Sequence, residues 1–193
     1  MRGRLGWIFI AVLLVALAPP GAQAQLDLNP FGAFYKNIPR AAKANDVGKI
    51  RQLLGDGASP NQTDEDGATT GMHVAAASGN LQIMAILYKA GGDINARDAV
   101  GDSPLDLAAE HDQLEAAKLL LEMKARANDQ DKNGMTALMF AAKAGDVEMV
   151  RALLEGGADP NMSDYTGRNA VGWAQESHRP LVVQALRNAQ TKH

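Results

Sequence analysis

The stretch DQDKNG at residues 129–134 puts Asp129, Asp131, Asn133 and Gly134 at positions 1, 3, 5 and 6 of a twelve-residue calcium loop, where hard oxygen ligands alternate before a turn glycine. Position 12 of that loop should supply a bidentate glutamate and is Phe140, so calcium is not expected there. His73, His111, His178 and His193 stand apart in the sequence, and none belongs to a nucleophile, base and orienter arrangement. H-E-x-x-H, G-x-S-x-G, Walker-type and dinucleotide-binding patterns do not occur. Cysteine is absent, which excludes a disulfide framework, a thiolate metal site and a cysteine nucleophile together. The expectation is therefore a protein that is not an enzyme and holds no cofactor or metal. The competing reading is a metal-binding or enzymatic module built on the dispersed acids Asp64, Asp66, Asp98 and Asp102.

The elements that carry these residues recur. Asn95, Asn128 and Asn161 are 33 residues apart, as are Gly101, Gly134 and Gly167, then Ala75, Ala108, Ala141 and Ala174, then Leu87, Leu120, Leu153 and Leu186. Upstream, AAKANDVGKIRQLLGDGASPN (41–61) matches AAKAGDVEMVRALLEGGADPN (141–161) at an offset of 100, three periods plus one inserted residue between Gly67 and Thr70. Within 134–166, Thr136 is placed to cap a helix that gathers Leu138, Ala141 and Ala142 on one face. Gly145 ends that helix, and Asp146 opens a second with Val150, Leu153 and Leu154 together, closed by a left-handed Gly157. A unit with so large an apolar face must stack on its neighbours, and three or more are needed to share a core.

The signatures TGMH (70–73), SPLD (103–106), TALM (136–139) and NAVG (169–172), with GASPN (57–61), GGDIN (91–95), KARAN (124–128) and GADPN (157–161), resemble those of ankyrin repeats. The resemblance covers about residues 40–190 and implies an all-α solenoid of about five stacked helix-turn-helix units joined by β-hairpin loops. The units run at about 40–66, 67–100, 101–133, 134–166 and 167–193, the first and last as caps. Only His73 keeps the family's histidine, and Lys124 stands where glycine is expected, which implies strain in a left-handed turn. Asn61-Gln62-Thr63 and Asn161-Met162-Ser163 fit the glycosylation acceptor pattern, but their shared repeat position implies an asparagine bonded to backbone inside the hairpin. Phe140 and Trp173 occupy equivalent positions and are expected in the core.

The resemblance also implies a protein partner held on a concave surface of hairpin tips and first-helix residues. Carried over by position, the tips are Glu65, Asp66, Val100, Asp102, Lys132, Asn133, Met135, Tyr165 and Arg168, and the first-helix positions are Glu110, His111, Lys143 and Glu176. The surface runs from acidic near Glu65 to basic near Arg168, with Tyr165 and Met135 as expected anchors. Exported ankyrin proteins of bacteria that this chain resembles imply a role in peroxide defence or as an immunity partner of a toxin.

Composition and the N-terminus bound where this would happen. The chain has 193 residues, 46% hydrophobic, with 19 basic against 22 acidic side chains, which leaves no electrostatic footprint for nucleic acid. MRGRLGWIFIAVLLVALAPPGAQA (1–24) has a basic start, an apolar run from Leu5 to Ala18 and a small-residue site at Ala22-Gln23-Ala24, the pattern of a cleaved signal peptide. Pro19-Pro20 ends the apolar run short of the roughly 20 residues that span a bilayer. The expected product begins at Gln25, is not inserted in a membrane, is a monomer, and lies in the periplasm, with secretion as the alternative. Residues 25–39 form an extension in which Phe31, Phe34 and Tyr35 cluster, expected to fold over the open apolar end of the first unit rather than to tether a partner.

Overall fold

A computed structural model describes residues 37–65 and 67–190. Residues 1–36, which hold the expected signal peptide and most of the aromatic extension, together with Asp66 and residues 191–193, lie outside them. Ten helices occur among the described residues, in five consecutive pairs: α1 (Ile38–Lys43) with α2 (Val47–Gly55), α3 (Gly71–Ala77) with α4 (Leu81–Lys89), α5 (Pro104–Glu110) with α6 (Leu114–Glu122), α7 (Ala137–Ala144) with α8 (Val147–Glu155), and α9 (Ala170–Glu176) with α10 (Pro180–Gln190). The all-α solenoid is observed. Between pairs, hairpins close with only isolated antiparallel bridges, Thr63 to Thr70 and Ser163 to Asn169.

Each first helix packs on the next first helix, α1 to α3 to α5 to α7 to α9, and the second helices α2, α4, α6, α8 and α10 follow the same order in another layer. Side-chain size explains the two layers. First helices meet through buried Ala75, Ala76, Ala108, Ala109, Ala141, Ala142 and Ala174, whose small side chains let backbones approach, while second helices fill the interior with Leu53, Leu87, Leu120, Leu153 and Leu186. One hydrophobic core therefore runs through all five pairs.

Capping sets where the helices begin. Asp46 accepts from Lys49 N at 2.8 Å, Asn80 from Ile83 N at 3.0 Å and Asp146 from Glu148 N and Met149 N at 2.9 and 3.1 Å. Thr136 does precede α7 but its side chain makes no capping bond, so the expected cap there is positional only. The turn inside each pair needs a left-handed residue at 45, 79, 112, 145 and 178, filled by Asn45 (φ 55°), Gly79, Asp112 (φ 58°), Gly145 and His178 (φ 55°). His178 is thus a turn residue. Lys124 is left-handed at φ 70°, in the place taken by Gly57, Gly91 and Gly157 in other units.

The asparagines correct the expected hairpin role. Asn61 accepts from Asp93 N at 2.6 Å and donates to Gly91 O, Asn95 accepts from Arg126 N at 2.9 Å, and Asn128 accepts from Asp159 N at 2.7 Å while donating to Gly157 O at 3.0 Å. Each bonds to the backbone of the following unit, not of its own hairpin. They staple the stack.

Candidate functional site

The hairpin tips are built on one aspartate per unit. Asp98 Oδ1 accepts from Val100 N and Asp102 N, Asp131 Oδ1 from Asn133 N and Met135 N, and Asp164 Oδ1 from Thr166 N and Arg168 N, all between 2.7 and 2.9 Å. In the first hairpin, with its extra residue, Asp64 Oδ1 accepts from Thr69 N at 3.3 Å. The carboxylates of DQDKNG are thereby accounted for. Asp131 shapes the turn, and Asp129 Oδ2 is held by Arg97 and Arg126 at 3.1 and 3.0 Å. Among the described residues no three His, Asp or Glu side chains converge on a possible metal position.

Consecutive tips are tied together. Lys132 N donates to Val100 O at 3.1 Å and Tyr165 N to Asn133 O at 3.0 Å. A side-chain rung repeats beside them: Arg97 donates to Gly101 O and to Gln130 O, and one unit later Gln130 donates to Gly134 O at 2.6 Å and Ser163 O at 3.0 Å. Glycine is required at the tip itself, because Gly134 has φ 81° and a Cβ there would lie 2.7 Å from Tyr165 N.

Against this scaffold the expected partner residues divide. Glu65, Val100, Glu110, His111, Lys132, Asn133, Lys143, Tyr165 and Glu176 are exposed, Tyr165 by 72% and Val100 by 53%. Arg168 is half-exposed, and Asp66 lies outside the described residues. Two expectations fail. Met135 is buried at 7% exposure because it turns into the stack ahead of α7, so it is no surface anchor. Asp102 is buried at 6% exposure because the residue after the tip glycine points inward to meet the first helix.

The inward position has its own chemistry. His73 Nδ1 accepts from Thr70 N at 3.1 Å, and Nε2 donates to Ala96 O and Asp102 O, both at 3.1 Å, joining the second unit to the third. Burial lowers its pKa despite the two carbonyl partners, so the ring is held neutral. One period later the residue is Asp106, buried, with Oδ2 accepting from Ser103 N at 2.8 Å and Ser103 Oγ at 2.7 Å. Burial pushes its pKa up to about 7, against the bonds from Ser103. Neighbouring Asp102 is raised to about 6 by burial and then by Asp98, Asp131 and Glu110, with Arg97 opposing, and its Oδ1 has no hydrogen-bond partner.

Three of the expected partner residues, Lys143, Arg168 and Glu176, gather around Trp173, a residue expected in the core. Trp173 is half-buried, and its Nε1 donates to Asp164 Oδ2 at 3.0 Å. The Arg168 guanidinium lies 3.8 Å from the ring centroid and the Lys143 ammonium 5.2 Å. Arg168 also donates to Thr166 Oγ1 at 3.0 Å and pairs with Glu176. Burial works to raise the pKa of Asp164, but donors from Thr166, Arg168 and Trp173 outweigh it and hold the carboxyl below its usual range. The sequence cue to this cluster is a tryptophan three residues before the end of a helix, preceded by basic positions in two successive units.

At the other end, a hollow of about 720 Å³ opens between α1 and α3, with Arg40 and Lys43 on one wall, Asp64 and Glu65 on another, and Val74 and Leu107 among its apolar lining. No helix among the described residues is long and apolar enough to cross a membrane.

The family model described as ankyrin repeats (3 copies) matches residues 39–131 and 123–193. An ankyrin repeat-containing protein of Schizosaccharomyces pombe is 41% identical over 69 residues, 36% of this chain and 33% of that protein. Cyclin-dependent kinase 4 inhibitor B of Bos taurus is 34% identical over 88 residues, 46% of this chain and 67% of the inhibitor. Cyclin-dependent kinase inhibitor 2A of Homo sapiens is 34% identical over 109 residues, 56% of this chain and 64% of the inhibitor. The match thus spans a third of the yeast protein's length and about two thirds of each inhibitor's.

Proposed function

The chain belongs to the ankyrin-repeat family, and on that premise we propose that it is a non-enzymatic protein that binds another protein through its hairpin tips and first-helix face. The observation that carries the reading is a division of labour among side chains. Asp98, Asp131, Asp164 and the stapling asparagines are consumed by the fold, whereas Val100, Glu110, His111, Lys132, Lys143 and Tyr165 project from the same rigid strip and leave most of their side chains exposed. A strip of fixed tips, zipped unit to unit, offers a preorganised contact surface and saves the ordering cost of a flexible loop. Relatives named as kinase inhibitors support a binding role, since their names describe action on another protein.

The finer reading places this protein outside the cytoplasm, in the periplasm, after removal of residues 1–24. The leader pattern supports it. Within that setting the role is stress (peroxide) defence or inhibition of a toxin as its immunity partner.

Differential affinity capture tests the binding surface. Extract passed over the native protein is compared with extract passed over Val100→Ala/His111→Ala and over Lys143→Gln/Tyr165→Ala, all exposed positions where folding should be unaffected. Loss of specific proteins with at least one double variant is expected. An identical, undiminished set on all three columns would overturn the surface. Sequencing the N-terminus of the protein recovered from periplasm checks the finer reading, with Gln25 expected first.

A further inference from the structure

Resting on that reading, we infer that the partner docks at the C-terminal end of the tip strip, as an extended segment carrying acidic side chains. Three observations converge there.

First, the ladder that ties the tips has an open end. Val100 O and Asn133 O each receive an N–H from the next tip, but Thr166 O, the same position in the last tip, receives none among the described residues. The side-chain rung stops as well. Arg97 and Gln130 fill the carbonyls of Gly101 and Gly134, but the residue at that position in the last unit is Ser163, too short to fill Gly167 O. Two adjacent backbone acceptors therefore stand at the end of a rigid row. An extended chain supplies the N–H groups that continue it, as in strand addition to a sheet edge.

Second, the cations a partner can touch there are not balanced by reachable anions. Lys143 makes no ion pair among the described residues, and its ammonium lies over the Trp173 ring. Lys132, by contrast, is turned back toward the preceding tip, where Nζ donates to Ala99 O at 2.6 Å. Glu176 is engaged by Arg168, and the oxygens of Asp131 and Asp164 are occupied by turn N–H groups and Trp173. An acidic side chain on the partner completes Lys143.

Third, Tyr165 is the most exposed of the large hydrophobic side chains at 72%, yet its ring rests against Gly134 and its N–H is bonded to the preceding tip. An aromatic group held still and left open loses little entropy when covered.

The test uses the isotope-labelled full chain and two capped six-residue peptides, one alternating Glu and Val and the other Lys and Val. The Trp173 indole N–H, identified with Trp173→Phe, reports on the patch through its bond to Asp164. The Glu peptide is expected to shift it saturably and the Lys peptide not to. Lys143→Gln should weaken the Glu peptide about threefold, as for one exposed charge pair, and Tyr165→Ala about tenfold. Glu65→Gln, at the opposite end, should leave it unchanged. No saturable shift, an equal response to the Lys peptide, or indifference to both variants overturns the inference. Self-association of the chain alone that Tyr165→Ala abolishes would assign the patch to a second copy and also overturn it. The two proposals fail differently: capture lost only with Val100→Ala/His111→Ala keeps the binding surface and rejects this location, and capture lost with no variant rejects both.

Discussion

At the scale of residues, the exchange of His73 for Asp106 at one repeat position gives two successive units opposite responses to pH. The folded state lowers the pKa of His73 below 6.5, so its contribution is complete above that value and is lost as pH falls. Asp106 and Asp102 are raised, to about 7 and about 6, so the folded state favours their protonated forms. Their contribution is complete below about pH 4 and is lost as pH rises through 6 and 7. For Asp106, which is buried, that loss is on the order of 4 kcal/mol. Asp106→Asn should therefore flatten the stability profile between pH 5 and 8 on its alkaline side, raising stability at pH 8 relative to pH 5 when compared with the native chain. Urea unfolding at the two values measures it, and a profile unchanged by the substitution would show that Asp106 is ionised at little cost.

Among elements, the joints between units rest on few bonds, and these can be removed singly. Asn128 supplies an acceptor to Asp159 N and a donor to Gly157 O, crossing from the third unit to the fourth. Its side chain is exposed, so water replaces part of what is lost, and Asn128→Ala is expected to cost about 1 kcal/mol. Amide exchange should quicken at Asp159 and stay unchanged at Asp93, whose staple comes from Asn61. Quickening at both would mean that the units do not open separately. The strain at Lys124 lies at the start of the same joint, which makes the connection between α6 and the stretch leading to Asn128 the one built with least help from glycine.

For the whole molecule, each unit touches chiefly its neighbours, so stability is close to a sum of units and junctions. The last pair, α9 and α10, covers α7 and α8 with Ala170, Ala174, Val182 and Leu186. A chain ending after Asn161 leaves that apolar face to water and also loses the bonds from Gln190 to Pro160 O and Asn161. It is expected to melt lower and to bind a hydrophobic dye, while the junction at His73 keeps its slow exchange. Complete loss of structure instead would show that the five pairs fold as one indivisible unit.

How much was legible in advance follows from what repetition can encode. The period of 33, the stacking leucines and alanines and the turn glycines determined the five pairs and their order, because each repeat poses the same local problem of burying an apolar face and ending two helices. Position in the repeat also identified Tyr165, Lys132 and Lys143 as surface residues. It could not say which way the side chain after each tip glycine points, so Asp102 and Met135 were assigned outward although both turn in. Nor could it show that Trp173, half-buried against the core, also carries Arg168 and Lys143 on its ring, or that Asn128 reaches forward to the next unit. Those arrangements join residues of different loops and helices, and their directions exist only once the units are stacked.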